Sequence, residues 1–140
     1  ILMQLATFSG LNNDTMSRTF AHRFMDIGRH LERASKTLML LNYAFQSLKP
    51  QDINQWELIL EVTDTVMTYR RRYRTRLHPT AILDLLLLDT ETPRAIGYLA
   101  QRLEHLVQGL PVQQLVGRKT QLQQLAFRIH ANLQMSQTDD

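Results

Sequence analysis

The sequence predicts an all-α protein, a helical bundle built around two long central helices with shorter C-terminal helices. Apolar residues recur at helical spacing along most of the 140 residues, and only five Gly and four Pro interrupt them. That is too few turn residues for a β-sandwich. With 44% hydrophobic and 21% charged residues, the chain can bury a core. No linker long enough to separate domains occurs, so we expect one domain over residues 1–140.

The N-terminal third is predicted to hold the first long helix. Ile1 to Phe8 have the pattern of a helix already under way, so we expect the C-terminal part of a longer chain. A turn is predicted from Ser9 to Asn13, and the long helix from about Thr15 to Leu48. Its apolar residues fall within about 40° of one line at 100° per residue, and we expect its aromatic residues to lie in the core. This line includes Phe20, Phe24, Leu31, Leu38 and Phe45.

The second long helix is predicted from about Ile53 to Arg76, after Lys49-Pro50 ends the first. A short apolar helix, Ala81 to Leu88, and a loop follow it. Thr92-Pro93 is a helix start signal, so we expect the next helix to begin there and end near Gln108. A last helix is predicted from about Val112 to Leu133.

The charge excess is local. The net charge is +3, and five Arg lie within seven residues on the second long helix: Arg70, Arg71, Arg72, Arg74 and Arg76. Such a cluster with interleaved Tyr is one pattern of nucleic-acid binding. A single helix would turn Arg70 and Arg74 toward the core and the others toward solvent, which disfavours nucleic acid as a partner.

A cation on the core side of a helix needs a carboxylate partner. Glu32 lies on an apolar shoulder of the first helix, and we predict that it pairs with Arg70 or Arg74. Asp84, on the short apolar helix, is a second candidate partner. These four residues form a predicted structural ion-pair site.

Several kinds of chemistry have no support in the sequence. There is no Cys, and no Glu-x-x-His motif accompanies the paired carboxylates Glu61 and Asp64. No nucleophile motif or phosphate loop occurs, so we expect no catalytic residues, no metal and no cofactor. Without a signal peptide or an apolar run of about 18 residues, we expect a cytoplasmic protein that does not enter a membrane.

Three blocks of sequence carry a family resemblance: Asp26-Ile-Gly-Arg-His-Leu-Glu-Arg-Ala34, Glu61 to Tyr73 with its Met-Thr-Tyr-Arg-Arg-Arg-Tyr run, and Leu83 to Asp89 followed by Thr92-Pro93-Arg94. Over about Asp14 to Pro111 the chain resembles the bacterial alpha-E family, an alpha-helical domain of unknown function with a Glu-Arg motif. The resemblance equates that motif with Glu32 and Arg33. Family members usually have Asn-Pro-Arg where this sequence has Thr92-Pro93-Arg94.

The resemblance implies which proteins this chain works with, because family members are encoded beside ATP-grasp-like ligases and transglutaminase-like peptidases. We therefore expect a non-catalytic scaffold or accessory protein of a peptide or amide-ligation and modification system, docking one of those partners. Assembly into a homo-oligomer is a further alternative. The predicted docking or binding residues are Arg29, Arg33, Lys36, Glu61, Asp64, Arg71, Arg72 and Arg94.

Two alternatives stay open. The first is a ligase- or peptidase-type enzyme, or a small-molecule-binding subunit, with a polar site between the two long helices. That site would gather Glu32, Glu61, Asp64, Arg70 and Arg71. The second is nucleic-acid binding through the Arg cluster.

Overall fold

The computed structural model describes residues 1–74, 76–110 and 120–138, and it confirms the all-α prediction. These residues form seven helices and contain no β-strand. The helices are α1 Leu2–Thr15, α2 Phe20–Ser47, α3 Ile53–Val62, α4 Val66–Tyr73, α5 Pro79–Leu87, α6 Ile96–Gln108 and α7 Gln121–Thr138. The predicted start of the last helix near Val112 lies outside the described residues. None of the helices described has the length and hydrophobicity needed to span a membrane.

Three predicted element boundaries are wrong. The turn predicted from Ser9 to Asn13 is helical, and α1 continues to Thr15, whose hydroxyl donates to the Leu11 carbonyl at 2.7 Å. A lone Gly costs a helix only about 1 kcal/mol, too little to end it. Helix α2 begins at Phe20 rather than near Thr15, and α6 begins at Ile96 rather than after Thr92. The Thr92 hydroxyl donates to the Asp89 carboxylate instead of capping a helix.

The predicted second long helix is divided into α3 and α4. The helix is interrupted from Thr63 to Thr65, where Asp64 has a left-handed backbone conformation with φ 54°. The Thr63 hydroxyl donates to the Ile59 carbonyl at 2.8 Å and lies 2.7 Å from the Thr65 hydroxyl. Threonine hydroxyls that bond the backbone in this way compete with a continuing helix. The angular positions of residues before the break therefore do not carry over to those after it.

The core lies where α3, α4 and α5 meet the C-terminal half of α2. Its buried hydrophobic side chains are Leu41, Ala44, Trp56, Ile59, Leu60, Tyr69, Ile82, Leu85 and Leu86. Helix α6 packs along α2, and α7 packs on α6. Buried residues of α6, such as Leu99 and Val107, continue the apolar interior in that direction.

The apolar line of α2 is largely exposed, so the prediction that its aromatic residues lie in the core is wrong. Its side chains are about half exposed: Phe20 53%, Phe24 57%, Leu31 52%, Leu38 48% and Phe45 61%. The residues of α2 that are buried are His22, Thr37, Leu41 and Ala44. The most deeply buried side of α2 is therefore a different one, with smaller and more polar residues. Leu31 of the apolar row also lines an apolar cavity of about 130 Å³ with residues of α6 and α7.

Candidate functional site

A cleft between α2 and the loop before α6 brings together five of the predicted site residues. This basic cleft has a volume of about 640 Å³ and is lined by Arg29, Glu32, Arg33, Lys36 and Arg94. The three cations from α2 are spaced by four and three residues, which places them on one face of that helix. The cleft also has an apolar wall, formed by Met39, Leu40 and Val62.

Glu32 does not pair across the helix interface, so the predicted ion pair with Arg70 or Arg74 is wrong. Its Oε1 atom accepts a hydrogen bond from Lys36 Nζ at 2.6 Å, and both side chains are exposed. The hydrogen bond from Lys36 lowers the pKa of Glu32. Arg70 Nη2 instead lies 3.1 Å from Glu57 Oε1. Arg74 follows the last residue of α4 and has a left-handed backbone conformation with φ 48°. The break at Asp64 is the reason, since the prediction assumed one continuous helix.

Asp84 also has a different partner from the one predicted. Its carboxylate accepts a hydrogen bond from the hydroxyl of Tyr73 rather than from Arg70 or Arg74. Burial and this hydrogen bond raise the pKa of Tyr73. The contact fastens the end of α4 to α5.

Positive charge dominates the basic cleft. Arg29 Nη1 lies 3.9 Å from Asp26 Oδ1, and Lys36 is paired with Glu32. Within the described part of the chain, no carboxylate oxygen lies within 4 Å of the Arg33 or Arg94 guanidinium. The cleft thus has four cationic side chains and one carboxylate along its wall.

The loop that presents Arg94 is organised around the buried carboxylate of Asp89. Arg72 Nη1 lies 2.7 Å from Asp89 Oδ1, and the backbone N–H of Thr92 donates to Oδ2 at 3.1 Å. Burial alone would raise the pKa of Asp89, but the hydrogen bonds from Thr92 and Arg72 outweigh it and hold that pKa below its ordinary value. The same ion pair raises the pKa of Arg72. Asp89 therefore stays ionised and ties the loop to α4.

Two further contacts fix the position of this loop. A Cβ atom at Gly97 would lie 2.6 Å from the Leu88 carbonyl oxygen, so only glycine allows α6 to approach the end of α5 so closely. On the other side, the Thr37 hydroxyl of α2 donates to the Arg94 carbonyl at 3.3 Å. Thr92 and Ala95, on either side of Arg94, are buried while Arg94 itself is exposed. The loop is anchored and its guanidinium is free to meet a ligand.

The remaining predicted residues lie elsewhere. Arg71 and Arg72 line a second cleft, of about 590 Å³, with Thr68 and residues 89–93. Glu61 and Asp64 are exposed at the turn between α3 and α4. The five residues of the enzyme alternative therefore do not line one cleft in the part of the chain described. In that part, no three His, Asp or Glu side chains are grouped as metal ligands.

Sequence reasoning overlooked Asp89, Thr92 and Gly97 as organisers of the site. The sequence predicts that Thr92 caps a helix, whereas its backbone N–H and its hydroxyl both donate to the carboxylate of Asp89. An Asp side chain often accepts a hydrogen bond from the backbone N–H two residues later, as Asp89 Oδ1 does here from Glu91 at 3.4 Å, and an Asp at this helix end was the available signal.

The alpha-E family, described as a predicted alpha-helical domain with a conserved ER motif, matches residues 1–140. The chain belongs to the alpha-E family. Its Glu-Arg pair, Glu32 and Arg33, lies in the basic cleft.

The alpha-E chain is similar to uncharacterized proteins of Mycobacterium bovis and of two strains of Mycobacterium tuberculosis. Each is 28% identical over 112 residues, which are 79% of this chain and 13% of the relative. The chain therefore spans only a small part of the length of these relatives. No solved structure matches it.

Proposed function

We propose that this alpha-E protein is a non-catalytic helical scaffold, an accessory protein of a bacterial ATP-grasp-linked peptide or amide-ligation system. It would hold a helix of its protein partner on the exposed apolar face of α2. The observation that supports this proposal is the exposure of Phe24, Leu31, Leu38 and Phe45, each between 48% and 61%. Contiguous apolar surface of this kind marks interaction sites in globular proteins.

The spacing of this face identifies the kind of partner. The large apolar residues recur every seven positions, at 24, 31, 38 and 45. A row with this spacing drifts only about 20° per step around a straight helix, so it stays on one side. Beside it runs a second exposed row of smaller residues with the same spacing: Ala21, Gly28, Ser35 and Asn42.

A row of large apolar side chains next to a row of small ones leaves holes into which the apolar side chains of a second, amphipathic helix can insert. The 28 residues of α2 extend about 42 Å, enough for several turns of such a partner. Gly28 has no heavy atom within 4 Å of its would-be Cβ, so the small row is open to close approach in the described structure. The occupant we propose is therefore one amphipathic helix of the partner protein.

Burial on a partner would supply useful binding energy. Complete burial of a Leu or Phe side chain is worth about 1.5–3 kcal/mol, so a half-exposed one retains about 1 kcal/mol. Four such side chains provide roughly 4 kcal/mol before the costs of association. The predicted docking residues Arg29, Arg33, Lys36 and Arg72 lie away from this row. Their part in docking stays a prediction that can be tested separately.

The test uses the tagged full-length protein and the ATP-grasp-like ligase that the family resemblance predicts to be encoded beside it. Leu38→Glu places a charge in the middle of the exposed row, and Leu58→Glu makes the same change on α3, where Leu58 is 55% exposed. We expect the unmodified protein and Leu58→Glu to co-purify with the ligase and to change its ATP turnover. Leu38→Glu should lose both effects, and its melting temperature should fall no further than that of Leu58→Glu, because the two side chains are similarly half-exposed.

Two outcomes would overturn the proposal. One is that the ligase does not bind the unmodified protein, or binds both variants equally. The other is that the unmodified protein is a dimer that Leu38→Glu converts to a monomer, since a second copy would then occupy the face.

A further inference from the structure

The geometry points to the basic cleft as a binding site for a small, multiply charged oxyanion, either a phosphate compound or a polycarboxylate. This inference goes beyond the proposed scaffold function and does not depend on it. The cleft residues Lys36, Arg29 and Arg33 lie at about 140–200° around α2 from Leu31, roughly opposite the apolar row.

The charges in the cleft call for an anion with more than one negative charge. Four cations, Arg29, Arg33, Lys36 and Arg94, line it against the single carboxylate of Glu32. Lys36 already neutralises Glu32 at 2.6 Å. Like charges gathered around a concave surface repel one another, and a bound polyanion relieves that repulsion.

Arg33 and Arg94 are the groups best placed to recognise the oxyanion. Neither has a carboxylate partner in the described residues, and Arg33 is half-buried. A guanidinium presents a planar fork of N–H donors that matches the two oxygens of a carboxylate or phosphate. Two such forks reach the cleft from different elements, α2 and the loop before α6.

The cleft is formed before any ligand arrives. Arg33 projects from the middle of a 28-residue helix. Arg94 projects from a loop fixed by Asp89, by the close approach at Gly97 and by the hydrogen bond from Thr37. Donors that are positioned in advance bind without paying the entropy of ordering a loop.

The dimensions and walls of the cleft suit a small molecule. Its volume of about 640 Å³ lies within the usual range of small-molecule pockets. The apolar wall of Met39, Leu40 and Val62 can contact an uncharged part of the same ligand. The hydroxyl-bearing residues Ser9 and Thr37 also line the cleft and add polar atoms beside the cations.

The experiment measures binding of pyrophosphate and of citrate to the full-length protein by isothermal titration calorimetry at low ionic strength. We expect at least one of the two anions to bind with one-to-one stoichiometry. Loss of one charged contact weakens binding about tenfold or more, so Arg33→Ala and Arg94→Ala should each show that loss. Arg94→Lys, which keeps the charge but not the fork, should lie between Arg94→Ala and the unmodified protein.

Arg102→Ala is the matched control, because Arg102 is exposed on α6 and does not line the cleft. Its affinity should stay within about twofold of the unmodified protein, since a distant exposed charge is screened. Thermal melting of every variant separates lost binding from lost folding. A preference for pyrophosphate identifies a phosphate ligand, and a preference for citrate a carboxylate ligand.

The inference is refuted if neither anion binds, or if Arg102→Ala weakens binding as much as Arg33→Ala. Such a result leaves the docking proposal untouched, because Leu38→Glu probes a separate surface. Conversely, Leu38→Glu should bind the anion normally even if it no longer binds the ligase.

Discussion

Two glycine-to-alanine substitutions should change the stability of this protein in opposite directions. Gly97 and Gly28 both lie within helices, and a methyl group added at either restricts the unfolded chain in the same way. The surroundings differ. A Cβ at Gly97 would lie 2.6 Å from the Leu88 carbonyl oxygen and 3.0 Å from that of Asp89, whereas a Cβ at Gly28 would meet nothing within 4 Å.

The expected magnitudes follow from these distances. Gly28→Ala should stabilise the fold by about 0.5–1 kcal/mol, the ordinary difference between Ala and Gly inside a helix. Gly97→Ala gains the same free energy from the restricted unfolded chain, but its methyl group forces backbone atoms apart. Such overpacking costs about 1–3 kcal/mol, and more where the close atoms belong to the backbone and cannot move aside. We therefore expect a net destabilisation of about 1–2 kcal/mol for Gly97→Ala.

Thermal and urea unfolding of the two variants beside the unmodified protein measure this difference. For a chain of this size about 1 kcal/mol shifts the melting temperature by roughly 3–4 °C. Gly28→Ala should melt a few degrees higher and Gly97→Ala several degrees lower. The reasoning about close approach is refuted if Gly97→Ala is as stable as Gly28→Ala. Gly97→Ala should also weaken pyrophosphate or citrate binding, since the displaced loop presents Arg94.

Two other substitutions test the contacts that hold the loops. Because the pKa of Asp89 is lowered in the folded protein, its charge stabilises the fold above the unfolded-state pKa of about 3.9, and this contribution is lost as the pH falls through the folded-state pKa. Asp89→Asn should thus cost about 2 kcal/mol at pH 7 in urea unfolding, and progressively less as the pH falls below about 3.9; a cost that does not change with pH would contradict the role of its charge. Tyr69 is 1% exposed and its hydroxyl accepts from the His78 backbone N–H at 3.1 Å, so Tyr69→Phe should cost about 1–2 kcal/mol. Tyr43→Phe, at a side chain 58% exposed, should change the melting temperature little, and equal effects of the two would show that this hydrogen bond is unimportant.

The sequence predicted which cations of α2 lie together, but it did not predict that Arg94 joins them in one cleft. The spacing of Arg29, Arg33 and Lys36 on one helix face was enough to group them, because the helical period fixes which residues are neighbours. Arg94 joins them from far along the chain, and the hydrogen bond that holds its loop spans 57 residues. No local pattern indicates such a contact.

The Arg cluster shows how a local assumption can fail. Helical angles turned Arg70 and Arg74 toward the core because the segment was treated as a single helix. The left-handed turn at Asp64 resets the angle, and Arg70 and Arg74 are both exposed. It is Arg72, predicted to face solvent, that pairs with a buried carboxylate, that of Asp89.

The sequence by itself determined that this protein is helical, where most of its helices lie, and which cations share the face of α2. These properties depend on backbone hydrogen bonds and side-chain spacing within a few residues, so they can be deduced locally. Only the tertiary structure decided which side of α2 is buried. Two sides of that helix can contact other elements, and the packing of α6 and of the α3 to α5 core selects the one with Thr37, Leu41 and Ala44. The larger apolar row was left exposed for the same reason, because burial depends on contacts between distant parts of the chain.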